Sequence, residues 1–373
     1  MLPPLIGLAF AVSLAAAPPP SANPSVTVDQ LRALLTQRSR DRDAALAHRL
    51  GALQLSERLT GAELRSLDQT LHPGPKTHDT LRLLADASAF LEPPPDEMPV
   101  RPAPSLPEQQ AMIDRAVRFV AVTLSRLPDF FATRTTRTFD NLPPIVLHAG
   151  SVRAEEMQPD GVFSQEITFR DGKEVLGHRL TKRFSGVGFF PAGLTSTGEF
   201  GPLPAIILHD SAHGRVAWSH WETTLTGVVA VFQYMIPHGK SHYEVNYCCV
   251  KGVDDLSTAL PTGMANAYHG RPGYHGTFSV DPDTGALVRI TLEALLKASD
   301  PITDGGVAID YAPVPIEGDK SYICPVHSVA ISVTRSLMPG EVEPHMVRRI
   351  NDVEFTDYHR FRATVKMVLP ADP

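Results

Sequence analysis

The sequence is poor in cysteine. Only Cys248, Cys249 and Cys324 occur among 373 residues, and none has the Cys-x-x-Cys spacing of structural zinc sites, which makes such a site improbable. In an oxidising compartment one of the adjacent pair could bridge to Cys324, and the candidate disulfide joins Cys249 and Cys324. The alternative, equally open, is three small apolar residues buried in strands.

The sequence also has no excess of basic residues. Its formal net charge is −7 and its isoelectric point is about 6.1. A protein that binds nucleic acid or an anionic membrane surface by electrostatic attraction needs a basic patch. We therefore expect neither of these as a partner.

Several catalytic motifs are missing. There is no GxSxG of serine hydrolases, no Gly-rich phosphate loop and no alternation of strands and helices of the kind that builds Rossmann and TIM folds. The sequence therefore predicts no cofactor, and an enzyme is the less favoured interpretation.

Long hydrophobic runs are absent apart from one at the start. Residues 1–17 contain an apolar core that ends in three alanines, which predicts a signal peptide and export to the periplasm or beyond. A membrane anchor, the alternative, needs about 20 apolar residues, and the flanking prolines leave too few. No cysteine follows the apolar run, so a lipid-anchored lipoprotein is not indicated.

Proline, in contrast, is abundant, with 34 residues, and it divides the chain. Residues 27–91 carry Leu and Ala at helical spacing, which predicts a helical segment. Seven prolines between residues 92 and 108 predict an extended linker. Residues 109–127 are predicted to be an amphipathic helix that opens a third region, 109–370. The first helical segment could pack on itself, cover the sheet as a lid or bind a partner.

After Pro128 the apolar period changes from 3.6 to 2. About ten β-branched or aromatic runs follow, each bounded by turn residues, and they begin at residues 130, 162, 215, 227, 241, 276, 286, 306, 321 and 352. Short turns at 170–173, 281–285 and 317–320 are hairpin signals, so neighbouring strands should be antiparallel. The predicted class is α+β, a strongly curved antiparallel sheet with packed helices.

Apolar side chains mark a possible pocket in this sheet. Residues 227–237 are apolar on both strand faces, which is expected where a sheet is covered on both sides. Strand parity places Trp218 and Trp221 on opposite faces. A curved sheet lined in this way can hold an apolar ligand, although the same side chains could simply fill a closed core. The predicted pocket residues are Trp218, Phe232, Tyr234, Ile236, Tyr243 and Phe278.

A resemblance to a known family favours the pocket. The order of helix, antiparallel strands and inserted short helix, followed by Asp281, Gly285, Leu287 and Arg289 and by a late strand around Tyr358, resembles the LolA-like periplasmic lipoprotein carriers and related envelope-stress sensors. It also resembles a group of secreted bacterial proteins with a Trp-containing strand after a short helix. The first resemblance implies a half-barrel that binds and transfers acylated cargo without catalysis.

Two other functions compete with the carrier. His209 and His213 stand four residues apart, and with His220 they could bind a metal in a hydrolase, although the glutamate of HExxH is missing. The helical segment could instead serve as an interaction module for another envelope protein. The sequence favours a non-catalytic protein for an apolar or acylated ligand such as a lipid or lipoprotein.

Overall fold

The structure is a computed structural model that describes residues 25–123, 126–141, 156–182, 193–248, 268–318, 320–336 and 345–360. It is an α+β protein built on one ten-stranded antiparallel sheet. The α+β class and the antiparallel pairing predicted from the sequence are confirmed. The predicted signal peptide, residues 1–17, lies outside the described residues.

The large sheet is open. Its strands lie in the spatial order β5-β4-β3-β15-β14-β13-β12-β11-β8-β7, and the end strands β5 and β7 do not pair with each other. Their bounds are β3 Phe130–Asp140, β4 Gln158–Arg170, β5 Lys173–Lys182, β7 Arg215–Thr224, β8 Gly227–Ile236, β11 Gly273–Val280, β12 Leu287–Leu295, β13 Ile302–Glu317, β14 Lys320–Ser336 and β15 His345–Arg360.

Two small sheets accompany it. One is a parallel pair and the other has three antiparallel strands in the order β10-β9-β6. Their strands are β1 Ser25–Val26, β2 Gln54–Leu55, β6 Gly193–Leu194, β9 Val245–Cys248 and β10 Tyr268–Gly270. The run predicted to begin at residue 241 therefore lies in the smaller antiparallel sheet.

Six α-helices are described. They are α1 Val28–Gln37, α2 Asp43–Gly51, α3 Gly61–Leu71, α4 Pro75–Ala87, α5 Leu106–Thr123 and α6 Pro202–Ser211. Thr60 caps α3 by accepting a hydrogen bond from the Glu63 amide at 3.1 Å, and His72 ends it in the left-handed conformation. The strand predicted to begin at residue 215 is confirmed, and a short helix, α6, precedes it. None of the described helices is long and apolar enough to cross a bilayer.

Helices cover both faces of the large sheet. On β14 the neighbouring residues Val329 and Ala330 belong to different hydrophobic clusters, because successive side chains of a strand point to opposite faces. Ala330 lies on the face covered by α5 and α6, which we call the α5/α6 face. Val329 packs with Ala89, which follows α4, on the opposite face. We call α1–α4 the helical layer.

The helical layer has a hydrophobic core of its own. Leu31, Leu50 and Leu81 are fully buried in it. Residues 92–105, which connect the layer to α5, contain a 3-10 turn at Pro95–Glu97. The Trp221 indole donates to the carbonyl of Pro102 at 3.0 Å, so this connection lies against β7.

Candidate functional site

A cavity of about 490 Å³ lies between the helical layer and the large sheet. Helices α3 and α4 form one wall, and residues of β7 and of β11 to β15 form the other. Its apolar lining includes Leu59, Ala62, Leu64, Ala85 and Val329. Its size falls within the range of ligand sites, roughly 300–1,000 Å³.

A second cavity of about 470 Å³ adjoins the first. Both are lined by Arg58, Ala89, Glu222 and Ser279. Arg58 and Glu222 form a buried ion pair with a nitrogen–oxygen distance of 2.6 Å. This pair therefore stands at the boundary of the two cavities and ties the helical layer to β7.

The charge on Glu222 is well compensated. Burial alone would raise its pKa, but the neighbouring imidazole of His220 and the charge of Arg58 outweigh burial and lower the pKa of this carboxyl. Glu222 is thus anionic inside the protein, where its loss of hydration is offset by a guanidinium.

A second charged cluster surrounds His327 on β14. Its Nε2 lies 3.1 Å from Asp352 Oδ1 and 3.3 Å from Asp86 Oδ1, and its Nδ1 lies 3.4 Å from Asp310 Oδ2. Burial opposes a charge on the ring, but hydrogen bonds to these carboxylates raise the pKa of His327 well above its usual value. The imidazolium therefore joins α4 to three strands of the sheet.

Asp86 is the least compensated member of this cluster. Burial and the neighbouring charge of Asp352 raise the pKa of Asp86 to about 6. Its Oδ2 is buried and has no hydrogen-bond partner among the described residues. A buried carboxylate oxygen without a partner is unfavourable, which agrees with the raised pKa of Asp86.

The first cavity is lined by both arginines and carboxylates. They are Arg58, Arg65, Arg82, Arg289, Asp68, Asp86, Glu222, Asp310 and Glu354. Arg289 donates to the carbonyl of Ala89 at 2.8 Å and pairs with Asp310, and Arg82 lies 3.5 Å from Asp352. Arg65, on α3, also lines the cavity, and it makes no ion pair with any residue that the structure describes. Its guanidinium is therefore available to an anionic ligand.

The six residues predicted to line a pocket lie together. Phe232, Ile236 and Phe278 are fully buried, Tyr234 and Tyr243 are nearly so, and Trp218 packs against them from a partly buried position. The rings of Phe232 and Phe278 stack at 5.4 Å between centroids, and that of Trp218 meets Phe232 edge-on at 5.6 Å. These side chains contact one another on the α5/α6 face, and ligand binding by them stays a prediction.

The predicted separation of the two tryptophans is wrong. The rings of Trp218 and Trp221 touch, with centroids 4.9 Å apart. A β-bulge between Trp218 and His220 shifts the register against β8, and the extra residue cancels the alternation that strand parity assumes.

The histidines predicted as an alternative metal site are divided by the fold. His209 and His213 lie together at the end of α6, with ring centroids 5.1 Å apart. His220 instead lies on β7, 3.7 Å from Glu222. His242, and not His220, is the third histidine near His209, and the centroids of the His209 and His242 rings are 5.5 Å apart.

Cys324 is a buried cysteine on β14, and it forms no disulfide with another residue that the structure describes. Burial raises the pKa of this thiol to about 12, which makes it a poor nucleophile. Its predicted partner, Cys249, lies outside the described residues, so the disulfide stays a prediction.

The residues that suggested a family resemblance have clear structural roles. Asp281 closes the turn between β11 and β12 by accepting from the Thr284 amide at 2.7 Å, and Gly285 adopts φ 76° in the same turn. Tyr358 donates to the carbonyl of Pro325. In comparisons with known proteins, the chain matches no protein-family model and no curated protein.

Sequence reasoning did not find the charged residues of the cavity. Asp86 and His327 are 241 positions apart and lie in segments that look like an ordinary helix and an ordinary strand. The one available signal was a charged or polar side chain on an apolar face: Asp86 lies near the buried stripe of α4, and His327 interrupts an apolar strand.

Proposed function

We propose that the protein is a non-catalytic binding or carrier protein for an apolar or acylated ligand, and that an anionic part of this ligand lies in the cavity between the helical layer and the sheet. The observation that carries the proposal is the cavity itself, which combines Leu and Ala side chains with arginine.

The chemistry of the walls supports an amphiphilic ligand. Burial of an acyl chain against Leu59, Ala62 and Leu64 removes apolar surface from water, at roughly 25 cal/mol per Å². The guanidinium of Arg65 can form paired hydrogen bonds with a carboxylate or phosphate. A purely apolar ligand would leave this charge unused, so an acidic head group fits the site better.

The way in which the helical layer is held supports access to the cavity. Several of its contacts with the sheet are polar, namely Arg58 with Glu222, Asp86 with His327, and the carbonyls of Ala87 and Ala89 with two sheet arginines. The apolar contact is the small cluster around Ala89. We propose that the layer, which has its own core, moves away from the sheet as a unit to admit the ligand.

The wider setting belongs to the same proposal. We place the protein in the bacterial cell envelope on the strength of the predicted signal peptide, with an envelope protein as donor or acceptor of the ligand. We also propose that the large sheet is strongly curved into a half-barrel and that the protein is related to the LolA-like carriers. The aromatic cluster on the α5/α6 face is the alternative location of the ligand.

Native mass spectrometry of the protein purified from its own envelope tests the proposal. We expect an additional mass that organic solvent removes and that fragmentation identifies as an acidic lipid or other amphiphile. A protein that carries no such mass when purified from its envelope contradicts the proposed function.

A matched pair of variants locates the ligand. Ala62→Trp fills the cavity from the second residue of α3, and we expect loss of the bound mass. Ala44→Trp makes the same change at the second residue of α2, where the side chain is exposed, and should keep it. Loss of the ligand in Trp218→Leu with retention in Ala62→Trp would place the site in the aromatic cluster instead.

A further inference from the structure

Three imidazoles converge at the surface end of α6. His209 is in the last turn of the helix, His213 follows two residues after it ends, and His242 comes from the segment between the 3-10 turn at His238–Lys240 and β9. All three are exposed to solvent. Burial does not explain the proximity of three side chains that are exposed to solvent, so another cause is expected.

The ring of His242 is held in a fixed orientation. Its Nδ1 lies 2.6 Å from Oδ1 of Asp210, a carboxylate with no exposed surface. Asp210 also accepts from the His242 amide and from the Tyr274 hydroxyl, each at 2.8 Å. A proton on Nδ1 leaves the lone pair on Nε2, which is the arrangement that histidine ligands of metals adopt with a carboxylate behind them.

His213 is oriented in a similar way. Its Nδ1 lies 3.1 Å from the carbonyl oxygen of His209, and since a carbonyl only accepts, Nδ1 is the donor and Nε2 carries the lone pair. The ammonium of Lys240 donates to the His213 carbonyl at 2.7 Å. Two of the three rings thus have their free nitrogen defined by the fold.

The distance from the His209 ring to each of the other two rings matches the distance between two ligands of one ion. Nitrogen–zinc bonds of about 2.0–2.1 Å in a tetrahedral site place the ring centroids of two ligands roughly 5 Å apart. The observed separations are 5.1 Å for His209 with His213 and 5.5 Å for His209 with His242. Ligand atoms of His209, Asp210 and His242 lie within 4.8 Å of one another.

We propose that His209, His213 and His242 bind a divalent transition-metal ion, with Asp210 as a positioning residue behind His242. Imidazole ligands favour zinc or copper over magnesium and calcium, which prefer oxygen. Because the three rings are exposed, a further coordination position is open to water or to a small anionic group. The ion would fasten α6 to the segment that leads into β9.

This site is independent of the proposed carrier function. It lies at the end of α6, whereas the cavity lies under α3 and α4, and His209, His213 and His242 do not line the cavity. We therefore expect ligand retention in native mass spectrometry to be the same in His209→Gln and in the unchanged protein.

Calorimetric titration of the full, tag-free chain with zinc chloride tests the proposal. We expect one zinc ion per chain and a higher melting temperature in its presence. His209→Gln, His213→Gln and His242→Gln should each weaken zinc binding by about tenfold or more, and Asp210→Asn by about tenfold, the cost typical of losing a partner behind a ligand. His48→Gln, an exposed histidine of α2, should bind as the unchanged protein does.

Far-UV circular dichroism of the metal-free variants checks that each one folds. The three ligand histidines are exposed, so their replacement leaves the core intact. The three single histidine variants therefore test the proposal even if Asp210→Asn does not fold. The proposal is overturned if zinc binds no more tightly to the unchanged protein than to the triple variant His209→Gln/His213→Gln/His242→Gln, or if His48→Gln weakens binding equally.

Discussion

Nε2 of His327 lies 3.3 Å from Oδ1 of Asp86, and this contact joins β14 of the sheet to α4 of the helical layer. The same nitrogen lies 3.1 Å from Asp352. The imidazolium thus shares its charge with carboxylates from both sides of the boundary. The attachment of the helical layer depends on a group whose charge changes with pH.

His327→Gln should destabilise the protein by roughly 2–4 kcal/mol at pH 7, because it leaves Asp86 buried without its ion-pair partner. Asp352 keeps Arg82 and Arg137 as partners. The imidazole is 30% exposed, which keeps the effect at the lower end of what a fully buried pair gives. Urea denaturation measures the loss. Hydrogen exchange should show the amides of α4 opening more readily in the variant, whereas equal protection would mean that the contact does not hold the layer.

The stabilisation by His327 should depend on pH in a defined direction. Its pKa is raised in the folded protein, so its contribution is complete below the unfolded value of about 6.5 and is lost as the pH rises through the folded value. The difference in unfolding free energy between the unchanged protein and His327→Gln should therefore shrink between pH 7 and pH 10. A difference that stays constant over this range would show that the ring is neutral in the folded state.

The buried ion pair of Arg58 and Glu222 gives a second prediction. Arg58→Met should cost roughly 3 kcal/mol of unfolding free energy, because it leaves an uncompensated carboxylate, and Arg58→Met/Glu222→Met should recover most of that loss. Arg271→Met breaks the exposed pair with Glu244 and should cost less than about 1 kcal/mol. Equal losses in Arg58→Met and Arg271→Met, by urea denaturation, would mean that burial of the pair is unimportant.

Gly285 gives a third prediction, about the contact of the β11–β12 turn with α5. It has φ 76°, and a Cβ there would lie 2.4 Å from the backbone carbon of Arg115. Gly285→Ala should therefore cost about 2–4 kcal/mol. Gly172 has φ 72° but nothing within 4 Å of a Cβ, so Gly172→Ala isolates the backbone strain and should cost about 1 kcal/mol. If thermal unfolding shows the same loss of stability for Gly285→Ala and Gly172→Ala, close contact between the turn and α5 does not contribute to the cost.

The fold was predictable where local signals act alone. Apolar alternation identified most strands of the large sheet, and turn residues identified its hairpins: Asp171 and Gly172 both have positive φ at the predicted turn between β4 and β5. Strand β5 itself was missed, because its sequence KEVLGHRLTK does not alternate clearly. Helix α5 begins at Leu106, three residues before the predicted start.

Features that depend on distant residues could not be predicted. The bulge that brings Trp218 beside Trp221 is set by pairing with β8, and nothing in the local sequence marks it. The cavity forms where α3 and α4 meet strands that lie more than 120 positions away. Its charged residues are recognisable as a site only after the two layers are brought together.

Arg65 gives a fourth prediction, on the chemistry of the ligand. Arg65→Gln should weaken binding of the co-purified amphiphile several-fold and reduce the dependence of binding on salt, because a guanidinium–anion contact is screened by added ions. Arg38→Gln changes an exposed arginine after α1 and should have no effect. An unchanged affinity and salt dependence in Arg65→Gln would contradict an acidic head group at this position.

The most direct test of the central claim is a crystal structure of the protein purified from its own envelope with its ligand retained. The account predicts electron density for an amphiphile between α3, α4 and the sheet, with an acidic group beside Arg65. Density for the ligand among Phe232, Tyr243 and Phe278 on the α5/α6 face, with the cavity under the helical layer holding only water, would contradict it.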